Sequence, residues 1–198
     1  MSETLVIGLL GCGTVGGGVL KLLQEKQELF AHRTQVAIEV RKVLVRDASK
    51  VREDWIKPEL LTTDPAEILE DPEIQLVVEV MGGVNPAKGY LLAALQTGKH
   101  VVTANKALLA QHGAELFDAA NEQDPNLDEG RPKELLYAQR MTEMLGRFAP
   151  EAGEVAQLAV RAQHIRRWTV PRSTYPLGKP GYFAWRTGLY KFHAETAG

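Results

Sequence analysis

Apolar residues open the chain as a short continuous run over residues 5–10, give way to glycines at 11, 13, 16, 17 and 18, and resume as an amphipathic stretch to Lys26. The run predicts a buried strand, and the spacing of Val15, Val19, Leu22 and Leu23 predicts a helix with those residues inward. The pattern then repeats. Residues 36–45, rich in β-branched side chains, predict a second strand, residues 60–62 a short third at a sheet edge, residues 76–81 a fourth and residues 100–103 a fifth. Residues 86–97 predict a helix with Pro86 near its first turn and Gly98 just past its end. Residues 106–120 predict another, with Leu108, Leu109, Gly113, Leu116 and Phe117 inward. Strands alternating with helices predict an α/β fold with a doubly wound parallel sheet of about five strands.

The pattern changes after Asn121. Residues 122–133 are polar, contain Pro125, Gly130 and Pro132, and carry no strand signal. Residues 133–148 predict an amphipathic helix with Leu135, Leu136, Ala138, Met141, Met144, Leu145 and Phe148 mostly on one face. Residues 150–164 predict a second, with Val155, Leu158, Ala159 and Ala162 inward. Residues 169–182 are too rich in Pro and Gly for regular structure, and residues 183–194 predict a last helix from Trp185, Leu189 and Phe192. The chain therefore divides into an α/β domain, residues 1–120, and an α-helical segment, residues 121–198.

Gly11-Cys-Gly-Thr-Val-Gly16 is a G-x-G-x-x-G turn between a strand and a helix. Gly11 permits the tight turn, Gly13 leaves the backbone open to a pyrophosphate, and Gly16 lets the helix pack on the strand. The helix start offers unpaired N–H groups and a partial positive charge to phosphates. In this context the motif predicts a Rossmann-type dinucleotide site; the plainer reading is a turn that only packs a helix on a sheet. Ligands of such sheets bind beyond the strand C-termini. The glycine turn with Thr14 and Val15, Arg46, Gly82-Gly83, Thr103 and Asn105-Lys106 all fall there.

The end of the second strand selects the cofactor. An acidic residue there holds the ribose 2′-OH of NAD, whereas an arginine pairs with the 2′-phosphate of NADP. The strand ends Val43-Leu-Val-Arg46, with Lys50 able to add charge, which favours NADP. Asp47 keeps NAD open if the strand runs one residue further. Lys106, at a strand C-terminus, is placed to polarise a carbonyl or transfer a proton; the bland reading is a solvated lysine at a helix start.

Residues 11–18, 43–47, 79–87 and 101–109 (Val-Val-Thr-Ala-Asn-Lys-Ala-Leu-Leu) together resemble the nucleotide-binding domain of homoserine dehydrogenase, from about Leu5 to Ala120. The resemblance implies reversible NADP-linked oxidation of homoserine to aspartate semialdehyde, a step of threonine and methionine biosynthesis. It also implies a glycine turn that holds the pyrophosphate, a 2′-phosphate contact at Arg46, and Lys106 beside the nicotinamide and substrate. That family continues with another strand and a substrate domain carrying a glutamate, an acidic residue and a lysine; the residues after Asn121 do not resemble them, so cofactor binding with weak or no turnover is expected. From about Asp118 to the end, residues 133–142, 161–168, 175–182 and Trp185-Arg186 resemble a helical family known only as a domain of unknown function. The chain is thus expected to join two partial domains near residues 117–121.

Composition adds bounds. The hydrophobic fraction of 44% and charged fraction of 24% are those of an ordinary globular chain. No apolar run reaches bilayer length, and the N-terminus lacks a signal-peptide pattern, so a cytoplasmic protein with no membrane partner is expected. Cys12 is the sole cysteine and reads as a small filler of the glycine turn. Charge is uneven: residues 161–198 hold seven basic residues, one acidic residue and seven of the thirteen aromatics. Such a stretch can contact phosphate or single-stranded nucleic acid, which supports an alternative function as a non-catalytic binding module. The favoured reading makes the aromatics a helical core and the arginines its rim. His164 and His193 are considered as metal ligands, but no His-Asp pair accompanies them and no metal is assigned.

Overall fold

The computed structural model describes residues 3–197. The chain divides into two compact units, Met1–Leu108 and Leu109–Gly198.

In the first unit, β1 (Glu3–Leu10), β2 (Val36–Leu44), β3 (Leu61–Thr62), β4 (Leu76–Glu79) and β5 (His100–Thr103) form one sheet in the order β3-β2-β1-β4-β5, and every pairing is parallel. This is the expected Rossmann-like sheet. Helices α1 (Thr14–Glu25), α2 (Gln27–Thr34), α3 (Ala66–Leu69) and α4 (Ala87–Gln96) connect the strands. Leu9, Leu20 and Val43 are buried in one cluster with Val45 and Ile56, and Cys12 packs against it. Leu9 and Leu20 belong to β1 and α1, so this cluster fixes the helix behind the glycine turn.

Three expectations need correction. Helix α1 starts at Thr14, and it buries Gly16 and Leu20 while Val15 and Leu22 are 56% and 50% exposed. The close packing at Gly16 turns that face inward and carries the apolar residues on either side toward solvent. Helices α2 and α3 were not expected: α2 buries no residue and α3 has four residues, so neither carries a readable period.

The second unit is helical, as expected. Its residues include most of α5 (Lys106–Asn121), then α6 (Lys133–Phe148), α7 (Glu154–Ala162) and α8 (Lys179–Ala197). The polar stretch before α6 does hold strands: β6 (Leu127–Asp128) and β7 (Arg131–Pro132) pair antiparallel. Glu129 and Gly130, between them, both have positive φ, 52° and 74°, as a two-residue hairpin turn of the primed type requires. Of the expected inward residues, Met144 and Phe148 are exposed because the buried part of α6 is its first half, Glu134 to Ala138, and Val155 and Ala159 are exposed because α7 buries only Ala162. Helix α8 begins four residues earlier than expected. Pro180 lies in its first turn, where no intrahelical N–H is needed.

Much of the basic aromatic stretch is structural. Arg161 forms a bidentate pair with Asp118, and Arg172 donates to the carbonyls of Tyr175 and Pro176 at 3.0 and 2.9 Å. Trp185 is buried and donates its Nε1 to the Val170 carbonyl at 2.9 Å. No described helix is long and apolar enough to cross a membrane.

Candidate functional site

The C-terminal edge of the sheet carries the sequence-predicted site. Gly11 adopts φ +106°, and a Cβ there would lie 3.1 Å from Met81 Cα and from the Val80 carbonyl. At Gly16 a Cβ would stand 2.1 Å from the Gly11 carbonyl oxygen. The turn and the first turn of α1 are therefore in direct backbone contact. Gly13 is different: a Cβ there meets nothing within 4 Å, so the space above it is open.

Gly13 caps α1 without a side-chain hydrogen bond, and no acidic residue lies in the first turn. The first intrahelical bond runs from Gly17 N–H to the Gly13 carbonyl, 2.8 Å. The N–H groups of Thr14, Val15 and Gly16 thus precede the helical ladder, beside the open space at Gly13. Such a helix start, uncapped and covered only by glycine, fits a diphosphate, whose oxygens supply the missing acceptors.

Hydrogen bonds and close contacts connect the remaining predicted segments into one crest. Gly11 N–H donates to the Leu44 carbonyl at 3.0 Å, which sets the turn beside the end of β2. Arg46 follows two residues later; it is exposed and, among the described residues, has no hydrogen-bond or ion-pair partner. Asp47 is committed locally. Its Oδ1 accepts from Ser49 Oγ at 2.7 Å and Ser49 N–H at 2.8 Å, and these bonds hold its carboxyl below the usual range. Arg52 braces the same loop through the carbonyls of Asp47 and Lys50, at 2.8 and 2.9 Å, and Lys50 is exposed.

On the other side of Gly11 lie Met81, Gly82 and Gly83, the two glycines with φ +75° and +78°. Glu79, missed in the sequence, and Asn105 hold this loop. Glu79 is fully buried at the end of β4; it accepts from Met81 N–H at 2.7 Å and from Thr103 Oγ at 2.6 Å. Asn105 is also buried. Its N–H donates to Thr103 Oγ at 3.0 Å, its Nδ2 to the Gly83 carbonyl at 2.5 Å, and its Oδ1 accepts from Leu108 N–H at 3.1 Å. That last bond caps α5 and places Lys106, exposed, at the first helical position. Glu79 could have been suspected as the one charged residue in an apolar strand.

Comparisons with known proteins place the chain in a family. The family model described as "Homoserine dehydrogenase, NAD binding domain" matches residues 11–127. A second, "Domain of unknown function (DUF4202)", matches residues 111–198. The homoserine dehydrogenase of Bacillus subtilis is 41% identical over 155 residues, covering 73% of this chain and 36% of that protein. The enzyme of Corynebacterium glutamicum is 51% identical over 114 residues, covering 58% and 25%. The chain thus spans about a quarter to a third of the length of these relatives. Among solved structures, S. aureus homoserine dehydrogenase at pH 7.0 superposes with a TM-score of 0.58 and 44% identity, covering 62% of this chain and 31% of that one. The overlap of the two family matches, residues 111–127, falls on α5 and the loop that leads to the hairpin. With the motif, the sheet order and the relatives in agreement, the chain belongs to the homoserine dehydrogenase NAD-binding domain family.

Proposed function

We propose that the first unit binds NADP(H) and that its chemistry is that of homoserine dehydrogenase: oxidation of homoserine to aspartate semialdehyde. The bound nicotinamide supplies the hydride acceptor or donor. The chain's own residues do the rest. The N–H groups of Thr14, Val15 and Gly16 hold the pyrophosphate, and Arg46 with Lys50 takes the 2′-phosphate. Gly82 and Gly83 let the loop after β4 pass close to the cofactor. Thr103 acts as a positioning residue, since its hydroxyl is engaged by Glu79 and Asn105. Lys106, at the start of α5, orients the substrate oxygen beside the nicotinamide and polarises it.

The observation that carries the cofactor choice is the contrast between neighbours: Asp47 is tied to Ser49, while Arg46 is exposed and unpaired among the described residues. An aspartate held in this way is withdrawn from a ribose 2′-OH, and an unpaired guanidinium matches a phosphate through its planar fork. Calorimetric titration with NADPH and NADH tests it. Arg46→Ala is expected to weaken NADPH about ten- to hundredfold, the worth of one charge-assisted pair, and to leave NADH nearly unchanged. Tighter NADH binding by the parent protein would return the choice to Asp47.

Within these 198 residues we expect cofactor binding with little turnover. The family-model match ends at residue 127, and the chain spans only about a third of the length of the Bacillus subtilis enzyme. Incubation with homoserine and NADP⁺, followed at the NADPH absorbance band, checks this; a robust rate would overturn it.

A further inference from the structure

The second unit contains a cavity of about 210 Å³ lined by Gln163, His164, Arg167, Arg186, Tyr190 and His193. One wall is the turn after α7 and the other is one face of α8. Glu134, buried in the first turn of α6, lies behind it and receives His164 Nδ1 at 3.0 Å, with Arg167 Nη1 at 3.9 Å. Tyr137 stacks on the His164 ring at 3.9 Å and 10°. His164 Nδ1 faces both the Glu134 carboxylate and Arg167 Nη1, the latter at 3.4 Å, and the stacked ring fixes the imidazole plane.

The charge of this cavity is unbalanced. Arg167 and Arg186 are permanent cations, and Glu134 is the one carboxylate near them among the described residues. Glu134 is already shared by His164 and Arg167. Arg186 has phenol partners only: its Nη2 reaches Tyr190 Oη at 3.1 Å, the guanidinium lies 5.7 Å from the Tyr190 ring centre, and the Tyr182 hydroxyl is its other partner. His193 adds an orphan, since its Nε2 is buried without a hydrogen bond. A buried polar atom left unpaired costs about 1–3 kcal/mol and calls for an acceptor or donor that the protein itself does not provide.

We propose that this cavity is a binding site for the phosphoryl group of a small anionic ligand. Two guanidiniums, the Gln163 amide and the Tyr190 hydroxyl offer more donors than the two oxygens of a carboxylate can satisfy. Three phosphoryl oxygens accommodate them. The contrast with the rest of the basic stretch supports the choice: Arg161 and Arg172 are satisfied by Asp118 and by backbone carbonyls, whereas Arg186 is not.

An anion here acts on His193. Burial first, then His164 and Arg167, lower it to about 4, against a raising influence from Glu134. Those three groups and the edge of Phe192 surround it. A bound anion favours the imidazolium, so the midpoint moves upward and binding is coupled to proton uptake.

Proton–nitrogen NMR of the histidine side chains of the full chain, titrated with inorganic phosphate, sulfate and acetate, tests the proposal. Phosphate is expected to shift His164 and His193 and to raise the His193 midpoint above about 4. Arg186 is exposed, so Arg186→Gln leaves the fold intact; it is expected to weaken phosphate roughly tenfold or more. Sulfate, whose charge is constant over this range, is expected to raise the same midpoint. Unmoved histidine signals, the same phosphate affinity in Arg186→Gln, or acetate binding as well as phosphate would each overturn the assignment.

Discussion

Gly13→Ala is expected to fold as the parent does and lose the cofactor, whereas Gly16→Ala is expected to lose both stability and cofactor. The two glycines are three residues apart in one motif, but their surroundings differ. At Gly13 a methyl group meets no protein atom within 4 Å, and the residue has φ −84°, which alanine adopts freely. Its substitution should cost no more than about 1 kcal/mol, the preference for glycine over alanine at an N-cap. The methyl does occupy the space through which a diphosphate approaches the N–H groups of Thr14 to Gly16, so NADPH affinity should fall by about tenfold or more. At Gly16 the methyl would overlap Gly11 backbone, 2.1 Å from its carbonyl oxygen and 2.9 Å from its carbon. Neither atom can rotate away, and α1 must shift off the strand end. Overpacking of this kind costs about 1–3 kcal/mol or more. Thermal unfolding and NADPH titration of both variants separate the effects. Gly13→Ala binding NADPH as tightly as the parent would show that the pyrophosphate lies elsewhere.

The second large effect is expected at Glu79. Both of its oxygens accept hydrogen bonds in a site without solvent, from Met81 N–H and Thr103 Oγ. Thr103 Oγ also accepts from Asn105 N–H, and turning its hydroxyl to accept a second donor would leave its hydrogen without the Glu79 acceptor. Glu79→Gln keeps the shape but replaces one acceptor by an amide donor, which then faces another donor. The expected loss is about 1–3 kcal/mol, the cost of a buried unsatisfied pair. The effect should spread along the crest, since Asn105 joins Thr103 to the Gly83 carbonyl and to the cap of α5. NADPH should weaken, while adenosine 2′,5′-bisphosphate, which needs Arg46 but not the Gly82-Gly83 loop, should bind nearly as before. Equal weakening of both ligands would reduce Glu79 to a general stabilising group.

These two sites show what the sequence discloses and what it hides. The glycine turn is legible because its demands are local: a strand, three glycines at fixed offsets and a helix lie within 25 residues. The sheet strands are legible for the same reason, and the ends of residues 36–45 and 100–103 agree with the structure to within a residue. Glu79 is hidden because strand alternation predicts an exposed charge there; its burial depends on Thr103, which arrives 24 residues later on another strand. Helix α2 is hidden because it packs no buried face. Pro180 reads as a breaker until its place in the first turn of α8 is known. The meeting of Arg167 and Arg186 around His193 depends on how α8 returns to the turn after α7, which no local pattern encodes.

The uncapped start of α1 has a further consequence for how this site is inherited. Its phosphate donors are main-chain groups, which every residue but proline carries. Replacements at Thr14 or Val15 alter no donor, and none of these groups titrates over the range in which cells live. The pyrophosphate cradle therefore presents a very small mutational target: drift can rewrite the side chains around it, and only the glycines that shape the backbone stand exposed to loss.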